Sequence, residues 1–445
     1  MIDRKSITQW LEELPDSNTW DISILPPPPP STTKKRKAES QYPGLQLTSP
    51  PPSQSDMDVT PTRKRQRVTN RLIDIDLTPR PQDGSTRSSA QSQSQSSRST
   101  RSSRSLSPKK QMMGLSLDDN GLECRQLEID TAPEEMSQLL RAMREVANGH
   151  DILPYDRRDE ILESTLVSDG KEWRYSFRPS GEEDSLPGQI PTIEQVGVIR
   201  DMAKECQNSD HEEAGWNVEV HHRILQSIFR APGSSFNFSI CTTARPSPEY
   251  LPPRAPAKMV DFCVFAELNQ DERFKEAHRE LSRHTPTLSV NHTDFTPLQL
   301  RPVTLSIETK KPDKELDAAN LQMGIWHAAQ WSFLTSAVGL SIRASQAADE
   351  PRSSLQQMET AKQVEARMDR LPFIPGVIVL GHKWSLVLST REGQRTILWT
   401  EREFGNTKSI QETFQIVAGL RELAAWSKNV YLPWWKENVL DGFIA

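Results

Sequence analysis

Val303-Thr304-Leu305-Ser306-Ile307-Glu308-Thr309-Lys310 alternates apolar and polar side chains and closes on two charges of opposite sign. A strand has a side-chain period of two, so Ser306, Glu308 and Lys310 share one face and Leu305 and Ile307 the other. Paired charges on the polar face suit a cleft better than a core. Upstream, Lys258-Met259-Val260-Asp261-Phe262-Cys263-Val264-Phe265 is a second strand, apolar except for one carboxylate. An Asp in such a run is unfavourable unless it is paired or bound to a metal. Asp and Glu at neighbouring strand ends, with a Lys two residues beyond the Glu, supply what metal-assisted phosphodiester hydrolysis requires. Two carboxylates hold Mg²⁺, a hard cation that prefers oxygen ligands, and the Lys orients water or offsets charge on the phosphate.

Around these strands the patterning predicts helices at 132–148, 191–209 and 214–229, then strands at 235–241, 258–266 and 302–308. A long helix at 313–340 follows, then strands at 375–381, 383–390 and 394–400 and a helix at 408–427. Pro133 and Pro191 open two of the helices and Gly149 stops the first. The third carries Trp216, Val220, Ile224 and Ile228 on one stripe. A helix, three strands, a helix and further strands imply an α/β (α+β) domain, a mixed sheet flanked by helices.

The arrangement resembles the PD-(D/E)XK nuclease superfamily, with its restriction-endonuclease-like core of a helix, three strands, a helix and a further strand. Asp261 matches the first acidic position and Glu308-Thr309-Lys310 matches (D/E)-X-K. Glu219, in Trp216-Asn217-Val218-Glu219-Val220-His221, matches the helix-borne metal-binding Glu of many members. Gln322-Met323-Gly324-Ile325-Trp326 is similar to the Q-x-x-x-Y motif of the recombination-exonuclease branch, with Trp in the aromatic place. A basic arm ahead of such a core is similar to the nuclease-like proteins of filamentous fungi. The resemblance covers about 120–440 and implies Asp261, Glu308, Lys310 and Gln322 as catalytic residues. Its metal ligands are Glu219, Asp261 and Glu308, for Mg²⁺ or Mn²⁺, and its substrate is nucleic acid, DNA before RNA. Val260 stands in place of the name-giving Pro. The 47 residues from Asp261 to Glu308 exceed a tight hairpin, so 267–301 is expected to be an insertion.

Each residue also has an ordinary structural reading. Glu308 and Lys310 make an exposed ion pair, Glu219 is a helix-surface carboxylate and Gln322 bonds a backbone group. His221-His222 reads as a surface pair, and Lys311 as a solvated charge. Trp326, Trp331, Phe333 and Trp384 read as core, and Tyr431, Trp434 and Trp435 as a packed C-terminal tail in preference to a base-stacking surface. No phosphate-binding, dinucleotide-binding or serine-hydrolase motif is present.

The 445 residues divide into a short amphipathic peptide at 1–20, a disordered Pro/Ser/Arg-rich arm at 21–115 and a folded domain at 120–445. Residues 31–110 hold 16 Lys and Arg against 6 Asp and Glu, and the rest of the chain holds 38 against 54. A basic arm therefore joins an acidic body, and any nucleic-acid site on the body must be local. Lys34-Lys35-Arg36-Lys37 and Arg63-Lys64-Arg65-Gln66-Arg67 suit a nuclear import receptor, which predicts the nucleus as location. No apolar run is long enough to span a membrane, and no signal-peptide core follows Met1. The four cysteines lack metal or disulfide spacing. Two rival readings use the same features: a catalytically silent nucleic-acid-binding or protein-interaction module on the nuclease fold, and an adaptor whose working part is the phosphorylatable arm.

Overall fold

The computed structural model describes residues 106–127, 134–267, 271–312, 315–346 and 353–444, all within one compact unit, Arg98–Ala445. The peptide at 1–20, both basic clusters and the arm up to residue 105 lie outside the described residues. The elements are α1 (Pro108–Ser116), β1 (Leu122–Gln126), α2 (Ser137–Ala147), α3 (Arg158–Glu163) and α4 (Ile193–Asn208). Next come α5 (Glu213–Trp216), a π-helical turn (Asn217–His221), α6 (His222–Phe229), β2 (Phe236–Ile240), β3 (Phe262–Ala266) and α7 (Glu272–His284). The chain continues with β4 (Val303–Lys310), α8 (Leu316–Ser345), α9 (Ser354–Met368), β5 (Ile374–Leu380), β6 (Lys383–Glu392), β7 (Arg395–Asn406) and α10 (Ile410–Trp426).

The seven strands form one mixed sheet in the order β1-β7-β6-β5-β4-β3-β2. β4 runs antiparallel to β3, with Cys263 opposite Ser306, and parallel to β5, with Glu308 beside Ile378. With α7 and α9 set aside as additions, α6, β2, β3, β4, α8 and β5 follow the expected order of helix, three strands, helix and strand. Alternation divides the sheet between two apolar clusters. Leu305, Ile307, Val377 and Val379 pack with residues of α2, α4, α6 and α10. Cys263, Ile378, Val387 and Leu398 pack with Met323, Ile325 and Trp326 of α8. All eight residues of β4, an interior strand between β5 and β3, are buried.

Local chemistry sets the helix ends. Thr192 caps α4 in a reciprocal capping box with Gln195, and Ser353 does the same for α9 with Gln356. α8 is apolar around most of its circumference because the sheet covers one side and α9 and the C-terminal segment cover the other. Trp434 Nε1 donates to Arg367 O at 2.9 Å and Trp435 Nε1 to His278 Nε2 at 3.0 Å, and Tyr431 is buried with them. These rings are the packed tail and not an open stacking surface.

Several expectations need correction. The segment read as disordered to residue 115 contains helix α1. Met112, Met113, Leu115 and Leu117 restore apolar groups in which 85–107 is poor, and Leu115 is buried in the cluster beneath α8. β1 and α9 were not expected. β1 is a five-residue strand at the edge of the sheet, and α9 buries only Thr360, Val364 and Met368. The insertion at 267–301 lies between β3 and β4, and α7 supplies its order with Ala277 and Leu281 buried. Among the described residues no helix is long and apolar enough to cross a membrane.

Candidate active site

The polar face of β4 lies under α8 and not in an open cleft. Trp326 Nε1 donates to Ser306 Oγ at 2.8 Å, and Glu308 is fully buried. Only at Lys310 does this face approach solvent, with a side chain 8% exposed. There Lys310 Nζ lies 2.7 Å from Glu308 Oε1 and 3.2 Å from Glu213 Oε2, and donates to Thr309 O at 2.9 Å. The ammonium is ion-paired with Glu308 Oε1, and Glu308 Oε2 is buried with no partner among the described residues. The ammonium offsets part of the desolvation of this carboxylate, but native interiors seldom leave a buried polar atom such as Oε2 without a partner.

Asp261 stands immediately before β3. Its amide donates to Ile307 O at 3.1 Å and its carbonyl accepts from the Cys241 amide at 2.7 Å, which locks the backbone across the sheet. The carboxylate reaches past β4. Asp261 Oδ2 accepts from the Thr309 amide at 2.9 Å and lies 2.9 Å from the Thr309 hydroxyl, and Asn217 Nδ2 donates to Oδ1 at 3.3 Å. The Thr309 hydroxyl also lies 2.8 Å from Asn217 Oδ1, so its one proton serves one of the two oxygens at a time.

Burial pushes the Asp261 carboxyl above its ordinary range, against the opposing pull of Lys310 and the donors from Thr309 and Asn217. Glu308 is pushed well up by burial and then by the Asp261 charge, with Lys310 opposing. Glu213 is raised by burial and by Asp261, again against Lys310. Burial disfavours the Lys310 ammonium, but Glu308, Glu213 and Asp261 together hold its pKa above the ordinary value. One cation thus serves three carboxylates.

Lys310, Asp261 and Glu308 therefore come together as the strand pattern requires. Gln322 joins them indirectly: its Nε2 donates to Met259 O at 3.2 Å and so braces the approach to Asp261. Glu219 stays apart. It is half-buried and pairs with Arg223 at 2.7 Å, and the acid that α5 brings to Lys310 is Glu213. Glu213, Asn217 and His221 recur every four residues and share a face, whereas Glu219, two residues from Asn217, turns away. That spacing was the available signal for Glu213 and Asn217.

His221 is fully buried and not half of a surface pair. Its Nδ1 lies 3.0 Å from Asn217 Oδ1 and its Nε2 3.1 Å from Gly381 O, and burial pushes its pKa down to about 4. Gly381 N also donates to Lys310 O at 2.9 Å, with the glycine at φ +57° against the Pro312 ring. A left-handed turn after β5 thus ties α5 and the π turn to the end of β4.

Among the described residues no three His, Cys, Asp or Glu side chains are gathered as a ready-made metal cage. The unpartnered Glu308 Oε2, beside Asp261, nevertheless fits a hard cation that keeps part of its water shell. A mixed sheet with an Asp before one strand and a Glu and Lys at the end of the next defines a nuclease-like α/β fold. A sequence-family model of the PD-(D/E)XK nuclease superfamily matches residues 162–432, more than half of the chain, and the protein belongs to that superfamily. Searches of curated proteins and of solved structures returned no match.

Proposed function

We propose that the protein is a metal-dependent nuclease that hydrolyses phosphodiester bonds, with DNA as its substrate. The observation that carries this reading is the fully buried Glu308 carboxylate, next to Asp261, ion-paired with Lys310 through Oε1 and, among the described residues, without a partner at Oε2. Asp261 and Glu308 would hold Mg²⁺ or Mn²⁺, which when bound supplies Lewis acidity and offsets charge on the phosphate.

The remaining work falls to this chain's own groups. Lys310, held charged by three carboxylates, orients the attacking water or donates to the phosphate oxygen on which charge grows. Asn217 and Thr309 fix the Asp261 carboxylate, and Gln322 holds the backbone that leads into it. Glu213 sets the position of the Lys310 ammonium at 3.2 Å. The basic clusters at 34–37 and 63–67 serve a nuclear import receptor; a fluorescent fusion that stays nuclear with both clusters changed to Ala contradicts this part.

The test is cleavage of labelled single- and double-stranded DNA by the full chain in Mg²⁺, Mn²⁺ or EDTA, beside Asp261→Ala and Lys310→Ala. Metal-dependent cutting that both substitutions abolish supports the reading, and cutting that survives them contradicts it. The self-satisfied contacts of Lys310 and Asp261, together with the acidic body, favour a second reading, a catalytically silent binding module. Binding of DNA with no cutting under any metal supports that alternative.

A further inference from the structure

A second feature lies at the same end of the sheet. The turn that follows β5 carries Gly381, bonded to Lys310 O, and then His382, which lines a cleft of about 460 Å³. Its opposite wall is one face of α4, where Arg200, Lys204 and Gln207 recur at helical spacing, and its floor is Thr407 and Lys408 at the end of β7. The chain that builds the candidate active site therefore builds the cleft one residue later.

The cleft is positive where the body is acidic. Asp201 holds Arg200 at 2.8 Å, but among the described residues Lys204 and Lys408 form no ion pair and both are exposed. The walls are fixed: His382 Nδ1 lies 2.8 Å from Thr407 Oγ1, and the His382 ring packs edge-on against Trp216 at 4.9 Å. Gln207 adds an exposed neutral amide, whereas the Thr407 hydroxyl is buried and engaged by His382. Two unpaired ammonium groups with a flanking amide suit phosphate and sugar oxygens, which position a nucleic acid without reading its sequence.

We infer that the cleft formed by Lys204, Gln207, His382 and Lys408 carries the sugar–phosphate backbone of a nucleic-acid strand into the Asp261–Lys310 site. The cleft's ligand class rests on the nuclease reading of that site. The occupant is nucleic acid and not an acidic protein segment, because the cations lie at the sheet end where the scissile phosphate has to arrive. Phosphate contacts of this kind act through counterion release, so they are measurable as a salt slope.

The experiment is binding of a fluorescein-labelled 30-mer duplex by the full chain in EDTA over a range of salt, for the wild type and for Lys204→Ala/Lys408→Ala. Loss of two phosphate contacts is expected to reduce the log–log salt slope by about 1.8 and to weaken binding roughly 30-fold at 0.15 M salt. Lysine acetylation with and without the duplex, read by mass spectrometry, localises the effect: Lys204 and Lys408 are expected to be protected, and Lys171 and Lys362 are not. An unchanged slope with unprotected Lys204 and Lys408 overturns the cleft, whether or not the protein cuts DNA. A lost slope in a protein that never cuts leaves the cleft standing and overturns the nuclease reading. Equal protection by polyglutamate at matched charge assigns the surface to an acidic protein partner and overturns the proposal.

Discussion

Replacing Lys310 with Met keeps the aliphatic stem and removes the charge that three buried or half-buried carboxylates share. Removing one partner of a buried ion pair costs about 3–5 kcal/mol, because the other partner stays desolvated. Glu308 is fully buried with a raised pKa, so it can take up a proton when the ammonium is lost, and the lower end, about 3 kcal/mol, is expected at pH 8. The cost depends on pH with a definite sign. Glu308, Asp261 and Glu213 all have pKa values raised above their unfolded values, chiefly by burial. Such groups contribute stability that is fully present below the unfolded pKa, near 4, and lost as pH rises through the folded pKa. Without the ammonium the folded values rise further, so the variant loses more stability than the wild type between about pH 4.5 and 8. Urea denaturation of the full chain in EDTA, followed by Trp fluorescence, should show a gap of about 3 kcal/mol at pH 8 that falls below about 1 kcal/mol at pH 4.5. A gap that is the same at both pH values, or smaller than about 0.5 kcal/mol at pH 8, refutes the shared-cation account.

Three further outcomes are expected. Glu219→Ala should leave cleavage within twofold of wild type and stability within about 0.5 kcal/mol, since the side chain is half-buried and, among the described residues, its ion pair is with Arg223; a tenfold loss of cutting returns Glu219 to the site. Gly381→Ala forces a side chain into the left-handed region and against the Pro312 ring, so the urea midpoint should fall by the equivalent of about 1–2 kcal/mol or more; an unchanged midpoint contradicts the close packing of that turn. Asn217→Ala deprives Asp261 of one donor and strips the buried His221 Nδ1 of its partner, at a cost of about 1–3 kcal/mol with a matching loss of cleavage. A variant as stable and as active as wild type would mean that Asn217 does not orient Asp261.

β4 and its charges were legible because Val303 to Glu308 alternates with a period of two and the polar face ends in Glu308 and Lys310. Asp261 was legible because an apolar strand has no other use for a carboxylate. The burial of the polar face was not legible, because Trp326 covers Ser306 from an element twenty residues away in sequence. The helix-borne acid was assigned to Glu219 by family resemblance, but helical spacing puts Glu213 and Asn217 on the face that meets Lys310 and Asp261. β1 escaped because its short alternation, Leu122 to Gln126, gains its meaning only from pairing with Thr396–Thr400 across the sheet. α9 escaped because its apolar stripe is thin. His221 looked like a surface residue beside His222, yet it fills the space between Trp216 and Trp384, with ring centroids at 6.0 and 5.6 Å.

The claim that matters most is that Glu308 and Asp261 form a cation site. Calorimetric titration of Mg²⁺ into the full chain at pH 7.5, with Asp261→Ala and Glu308→Gln beside it, tests that claim without reference to any substrate. One binding event in the wild type that both substitutions abolish is the expected result. An identical isotherm in all three proteins, or none in the wild type with either Mg²⁺ or Mn²⁺, would contradict it.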